Sequence, residues 1–178
     1  MQAGERVIGF LSANRKALRF LALFALIFGI SYFLFGVAPG VRNHVIRPYT
    51  EFLAKAVAVI LNVFGAGATA EGPLVRSPQF TMQIAMGCDG VEAASLFMAG
   101  VLAFPANWRS KLIGLAVGIP VIHFINLARL VGLYYAGVHL PSNFEEIHVY
   151  VAQTIVILLS TALLIVWLER VAVRARPA

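Results

Sequence analysis

One cysteine, one arginine far inside an apolar run and one histidine at the head of the last apolar run stand out in this sequence. Cys88 lies in Gly87-Cys88-Asp89-Gly90-Val91-Glu92, Arg129 in Asn126-Leu127-Ala128-Arg129, and His148 follows a polar stretch over 138–147. A thiol can attack a carbonyl carbon, an imidazole can take and return the proton, and a guanidinium can hold the oxyanion of a tetrahedral intermediate. Ionisable side chains at membrane depth are costly, so each needs a reason to be there.

Cys88 precedes a helix whose expected N-cap is Asp89, so free amides and the positive end of the helix dipole favour a thiolate. The adjacent Asp89 carboxylate opposes this, and activation then requires a cation, for which His148 and Arg129 are the candidates. Glu92 follows Cys88 by four residues on the same helical face and is expected to pair with Arg129. Asn126, one turn before Arg129, is expected to hydrogen-bond a neighbouring helix or to orient Arg129, and His123, deeper still, to be structural. The competing reading is a packing cysteine, a snorkelling histidine and a structural Arg129–Glu92 ion pair. In that case the chain is a non-enzymatic helical scaffold or assembly subunit. A metal site from Cys88, His123 and His148 lacks any local ligand spacing, and no metal or cofactor is expected.

The elements that must position these residues are membrane helices. The 178 residues are 60% hydrophobic and only 12% charged, with a mean hydropathy of +0.85, whereas soluble domains run near 45–50% apolar and about 25% charged. A single cysteine allows no intramolecular disulfide. The net charge of +6 does not form a nucleic-acid patch: nine of the fourteen basic residues cluster beside apolar runs, at Arg6, Arg15, Lys16 and Arg19, at Arg109 and Lys111, and at Arg170, Arg174 and Arg176.

Apolar runs at 20–38, 93–108, 112–136 and 149–168 read as spans. The first is too long for a typical cleaved signal and reads as a retained anchor. A run at 49–64 carries Glu51 and Lys55 and is short, so it reads as an interfacial or re-entrant amphipathic helix. The positive-inside rule places the three basic clusters in the cytoplasm. Parity then gives four crossings, both termini inside and Cys88 outside. The segment 65–87, rich in Gly, Thr and Pro, forms an outward-facing loop, and the alternation over 80–86 suggests a short strand pair. The fold class is therefore an all-α integral membrane protein with about four transmembrane helices, one amphipathic helix and a short Gly-rich strand loop. Its single domain, 1–178, divides into a basic tail (1–19), an anchor (20–38), a core (49–168) and a second basic tail (169–178). Gly114 and Gly118, then Ala128, Gly132 and Ala136, recur every four positions as a helix-packing seam along which a substrate helix could pair.

The ordered set Gly87-Cys88-Asp89-Gly90-Val91-Glu92, Asn126-Leu127-Ala128-Arg129 and His148 before a final span resembles the exosortase/archaeosortase family over about 49–168. The short chain and its Phe104-Pro105-Ala106-Asn107-Trp108 loop resemble exosortase H within it. The resemblance implies a membrane-embedded cysteine protease and transpeptidase, with its active site facing the periplasm or cell exterior from the cytoplasmic (inner) membrane. Such a protein acts, through a Cys thioester, on exported proteins that end in a short motif, an apolar helix and a basic cluster. The resemblance assigns catalysis to Cys88, Arg129 and His148, beside which Asn126, Glu92 and Asp89 read as supporting residues. It implies substrate tails and lipid as partners, with no nucleic acid. Asp89 departs from the Ser or Asn that most members carry at that position.

Overall fold

The computed structural model describes residues 14–174. Arg6 and Arg176 of the two basic tails lie outside that range. Helix α1 (Arg15–Tyr32) continues through a π-helical turn (Phe33–Val37). After Ala38 the chain turns helical again at Pro39–Val41, passes through a π-helical turn (Arg42–Ile46) and runs directly into α2 (Arg47–Val63), then a sheet of β1 (Thr69–Glu71), β2 (Leu74–Arg76) and β3 (Thr81–Gln83). Helices α3 (Val91–Ala103), α4 (Trp108–His139) and α5 (Gln153–Arg174) follow. Between α4 and α5 lie a 3₁₀ turn (Pro141–Asn143), one α-turn (Phe144–Glu146) and a π-helical stretch (Ile147–Ala152). The expected polar loop at 138–147 is thus largely helical, an extension of the last span.

Among the described residues, three segments are long and apolar enough to cross a bilayer: Arg15–Val37, Trp108–His139 and Pro141–Val171. The run expected over 93–108 differs. It is helical only from Val91 to Ala103, because Phe104 turns extended ahead of Pro105. At 1.5 Å per residue α3 is about 20 Å long, short of the roughly 30 Å hydrocarbon core. It is enclosed by its neighbours, with Ala93, Phe97, Ala99 and Val101 buried, so it presents little surface to lipid.

Ring contacts show how the helices align. Phe104, just past α3, meets Phe20 of α1 and Trp167 of α5, with centroids 6.4 and 6.1 Å apart. Trp167 Nε1 donates to the Ser110 carbonyl in the first turn of α4 at 3.2 Å. The start of α1, the α3–α4 junction and the late part of α5 therefore share one end of the bundle. This is the end that carries Arg15, Lys16, Arg19, Arg109, Lys111 and Arg170, as the charge reading anticipated. Asn107 caps α4 by accepting from Ser110 N at 2.8 Å, and Lys111 Nζ donates to the last-turn carbonyl of Leu102 at 2.6 Å. These contacts fix the junction. A Cβ on Gly114 would strike Trp167 and one on Gly118 would strike Phe97, so the first part of the small-residue seam is filled from within.

Helix α4, with 32 residues, is about 48 Å long, some 18 Å more than the hydrocarbon core. Its last turns, beyond Arg129, pack on α2 and the sheet on one side and on the Ile147–Ala152 stretch on the other. The amphipathic α2 buries Leu53, Val57 and Leu61 against Leu130 and Tyr134 of α4 and Val75 and Met82 of the sheet, and leaves Phe52, Val59 and Val63 exposed. It does not cross. At its end Asn62 clasps Ala68, donating to its carbonyl at 2.8 Å and accepting from its amide at 2.6 Å. The expected strand pair is a three-stranded antiparallel sheet in the order β1-β2-β3, with Glu71 opposite Leu74 and Val75 opposite Met82. Gly72, at a φ of +58°, makes the tight first turn that strict alternation did not reveal.

Candidate active site

Cys88 sits in a hairpin-like loop made by two left-handed glycines, Gly87 (φ +86°) and Gly90 (φ +81°). Such angles suit glycine. At Gly90 space is also closed, since a Cβ there would lie 3.0 Å from Asn126. Asn126, fully buried, donates from Nδ2 to the Cys88 carbonyl at 3.0 Å. Its Oδ1 accepts from Arg129 Nη1 at 3.3 Å, while its other bond goes to the loop ahead of α3 and not to a neighbouring helix. The second Arg129 nitrogen, Nη2, points at Cys88 Sγ from 3.8 Å.

His148 arrives from the other side. Its Nε2 is 2.9 Å from Cys88 Sγ, although sixty residues separate the two in sequence. The π-helical stretch shifts the phase of the helix where it meets the site, a common use of such bulges. Phe144 stacks on the imidazole at 5.8 Å and itself packs on Phe80 of the β2–β3 turn. Phe80 in turn fills the space over Gly137. Phe144 was not singled out in the sequence, although its spacing of four from His148 on a helix is the local signal for such a pair. Tyr49 was also missed: its hydroxyl meets His123 Nδ1 at 2.7 Å, tying α2 to α4. Burial, then the Asp89 charge, pushes the Tyr49 hydroxyl up to about 12. That pair spans 74 residues and leaves no local trace.

Three expectations need correction. The residue before α3 is Gly90, not Asp89. Asp89 still serves the helix start, its Oδ1 accepting from Val91 N at 3.0 Å, because the left-handed Gly90 moves the cap back by one residue. Among the described residues Arg129 makes no ion pair with Glu92; it is spent on Asn126 and Cys88, and Glu92 is exposed. The structural ion pair on which the scaffold reading leaned is therefore absent from this region. Finally, the thiol is not lowered. Burial raises it above its ordinary value, the Arg129 charge and hydrogen bond pull it back only in part, and Asp89 and Glu92 raise it further. Cys88 is 8% exposed and Asp89 only 2%. Burial also raises Asp89, against the Val91 amide and Arg129.

These signs give a test. Alkylation of Cys88 by a small thiol reagent should titrate above the usual thiol range of about 8.5. Asp89→Asn removes a charge that disfavours the thiolate while its amide oxygen can still accept from Val91. Alkylation at neutral pH should therefore quicken severalfold and the midpoint move down. Arg129→Gln should move it up.

The depth of the site follows from helix length. Asn126 and Arg129 lie about 27 and 32 Å along α4 from Trp108, which puts the thiol near one boundary of a roughly 30 Å hydrocarbon core. Among the described residues no three His, Cys, Asp or Glu side chains converge as metal ligands, and His123 is turned to Tyr49.

Fold and site together define a multi-pass helical membrane protein with a thiol, an imidazole and a guanidinium gathered at the end of the bundle opposite its basic clusters. The family model described as transmembrane exosortase (Exosortase_EpsH) matches residues 8–168. The chain belongs to that family, which assigns it, at family level, a membrane transpeptidase-type function. Comparison with curated proteins and with solved structures finds no match.

Proposed function

We propose that this protein is a cysteine transpeptidase that cleaves the carboxy-terminal sorting tail of exported proteins at the outer face of the cytoplasmic membrane. The observation that carries the reading is the 2.9 Å contact between Cys88 Sγ and His148 Nε2, with Arg129 Nη2 on the same sulfur. Because the thiol is held up by burial, its proton passes to His148 as Sγ attacks, in place of a thiolate standing ready. The S–C bond forms and the carbonyl oxygen takes the electron pair. Arg129 stands beside the position that oxygen must occupy. Collapse breaks the C–N bond, and His148 returns the proton to the leaving amine. The exported portion remains as a thioester on Cys88. An acceptor amine, or water, gives its proton to His148 and attacks the thioester; the C–S bond breaks and the thiol is restored.

The topology reading supports the orientation: the basic end lies inside, so the site end lies outside. Both claims meet in one experiment, since Cys88 is the only cysteine. A membrane-impermeant methanethiosulfonate added to intact cells, or to spheroplasts where an outer membrane intervenes, should modify Cys88 and stop tail processing. Modification without loss of processing would refute the nucleophile. Modification only by a permeant reagent would refute the orientation.

A further inference from the structure

The sheet ends on a strand whose outer side has no partner. In the β2–β3 pairing Val75 faces Met82. The same ladder continues with Ile84 N donating to the Pro73 carbonyl at 2.9 Å and Ser77 N to the Phe80 carbonyl at 3.1 Å. The amides of Met82 and Ile84 therefore turn to β2, and by the alternation of an antiparallel ladder the amides and carbonyls of Thr81 and Gln83 turn outward. Among the described residues none of these outward groups, nor the Ala85 amide, makes a hydrogen bond within the protein, and no helix or strand runs alongside. Thr81, Gln83 and Ala85 are exposed. Open edges are commonly guarded by a charge or a proline. The other edge strand, β1, carries Glu71, paired with Arg76 at 2.7 Å, whereas the run from Gln79 to Cys88 has neither guard.

This open strand leads to the nucleophile. A turn closed by Cys88 N on the Ala85 carbonyl at 3.1 Å, with the left-handed Gly87 inside it, brings Cys88 back to within about 7 Å of Ala85. A strand added at the β3 edge would lie about 4.8 Å away, close enough for its carbonyls to pass the thiol. Direction follows from α4. Phe80 lies over Gly137, about 16 Å farther along that helix than Asn126, which holds the Cys88 carbonyl. β3 therefore runs inward to the hydrocarbon boundary, as an exported chain does where it enters the membrane through a carboxy-terminal helix.

Resting on the transpeptidase reading above, we propose that the short motif ahead of the substrate's apolar helix binds in extended form as a fourth strand, parallel to β3. It pairs with the outward groups of Thr81 and Gln83 and so carries its scissile carbonyl to Cys88. Alternating amides and carbonyls are what such an edge accepts, and main-chain pairing supplies the affinity.

Gln83→Pro tests the edge without breaking the ladder, because the amide it removes is the outward one and proline is tolerated on edge strands. Processing of a tagged exported protein of the same cell, ending in an apolar helix and a basic cluster, should fall tenfold or more. A small thiol reagent should still alkylate Cys88 at the native rate, which shows the fold intact. Native processing in Gln83→Pro, where Cys88→Ala abolishes it, would overturn the proposal and leave the enzyme reading standing. Processing that survives Cys88→Ala removes both. A second measurement does not depend on the proline variant folding. Photoreactive benzoylphenylalanine at Thr81 or Gln83 of a Cys88→Ala chain should crosslink the tagged protein just ahead of its apolar helix, at least tenfold more than the same probe at the exposed Glu71 of β1. The Thr81 probe should label residues farther from that helix than the Gln83 probe does. Crosslinks to a second copy of this chain, none to the tagged protein, or the reverse order would overturn the proposal.

Discussion

Cys88→Ala is expected to reduce tail cleavage to background, a fall of at least about 10⁴-fold, with the chain still present in the membrane at its usual level. The size follows from the role: removing the nucleophile of a covalent mechanism leaves only binding and electrostatic stabilisation, which cannot be recruited without it. Normal abundance follows from the packing. The side chain is small, and its neighbours Leu130, Tyr134 and Ile84 belong to a larger cluster held by α2 and the sheet. Loss of one sulfur there costs on the order of 1 kcal/mol, typical of a mild substitution. Pulse-labelling of a tagged substrate together with immunoblotting of the enzyme reads both quantities. A scaffold role predicts the reverse pattern, with cleavage indifferent to the thiol.

Arg129→Gln carries the second large effect, a loss of about 10²–10³ in processing, the range seen when one oxyanion donor is removed. Three contacts make this more than the loss of a charge. Arg129 holds Asn126, Asn126 holds the Cys88 carbonyl, and Arg129 Nη2 reaches the sulfur. Because the Arg129 charge partly offsets the burial of the thiol, the same variant should need a higher pH to reach its maximal rate. Arg129→Lys keeps the charge but replaces a planar fork by a point donor, so it should restore the pH profile without restoring the rate. Measuring both profiles separates the electrostatic role from the geometric one.

The residues of the site were legible because lipid makes them conspicuous. A cysteine between two glycines, an arginine within an apolar run and a histidine at the head of the last span have few cheap explanations. The alignment of the helices was legible too, since Arg109 and Lys111 mark the same end as the two basic tails. Other features left weaker signals. The end of α3 at Ala103 depends on Phe104 and Pro105 closing the helix, while hydropathy alone continues to Trp108. The surplus length of α4 beyond the hydrocarbon core shows only once α2 and the sheet are seen wrapped around Leu130 and Tyr134. Glu92 had the right spacing to face Cys88, but spacing cannot say that Asn126 would claim the guanidinium first. The raised thiol likewise comes from burial among residues distant in sequence, which no local pattern reports.

The central claim is that Cys88 carries the exported portion as a thioester, and one measurement addresses it directly. Purified protein in lipid nanodiscs is given a tailed substrate in the presence of neutral hydroxylamine, and the released portion is analysed by mass spectrometry. A new carboxy-terminal hydroxamate is expected on that portion, formed at the native rate of cleavage and absent with Cys88→Ala. Cleavage at the native rate that yields only a free carboxylate, with Cys88 remaining fully alkylatable throughout turnover, would contradict it.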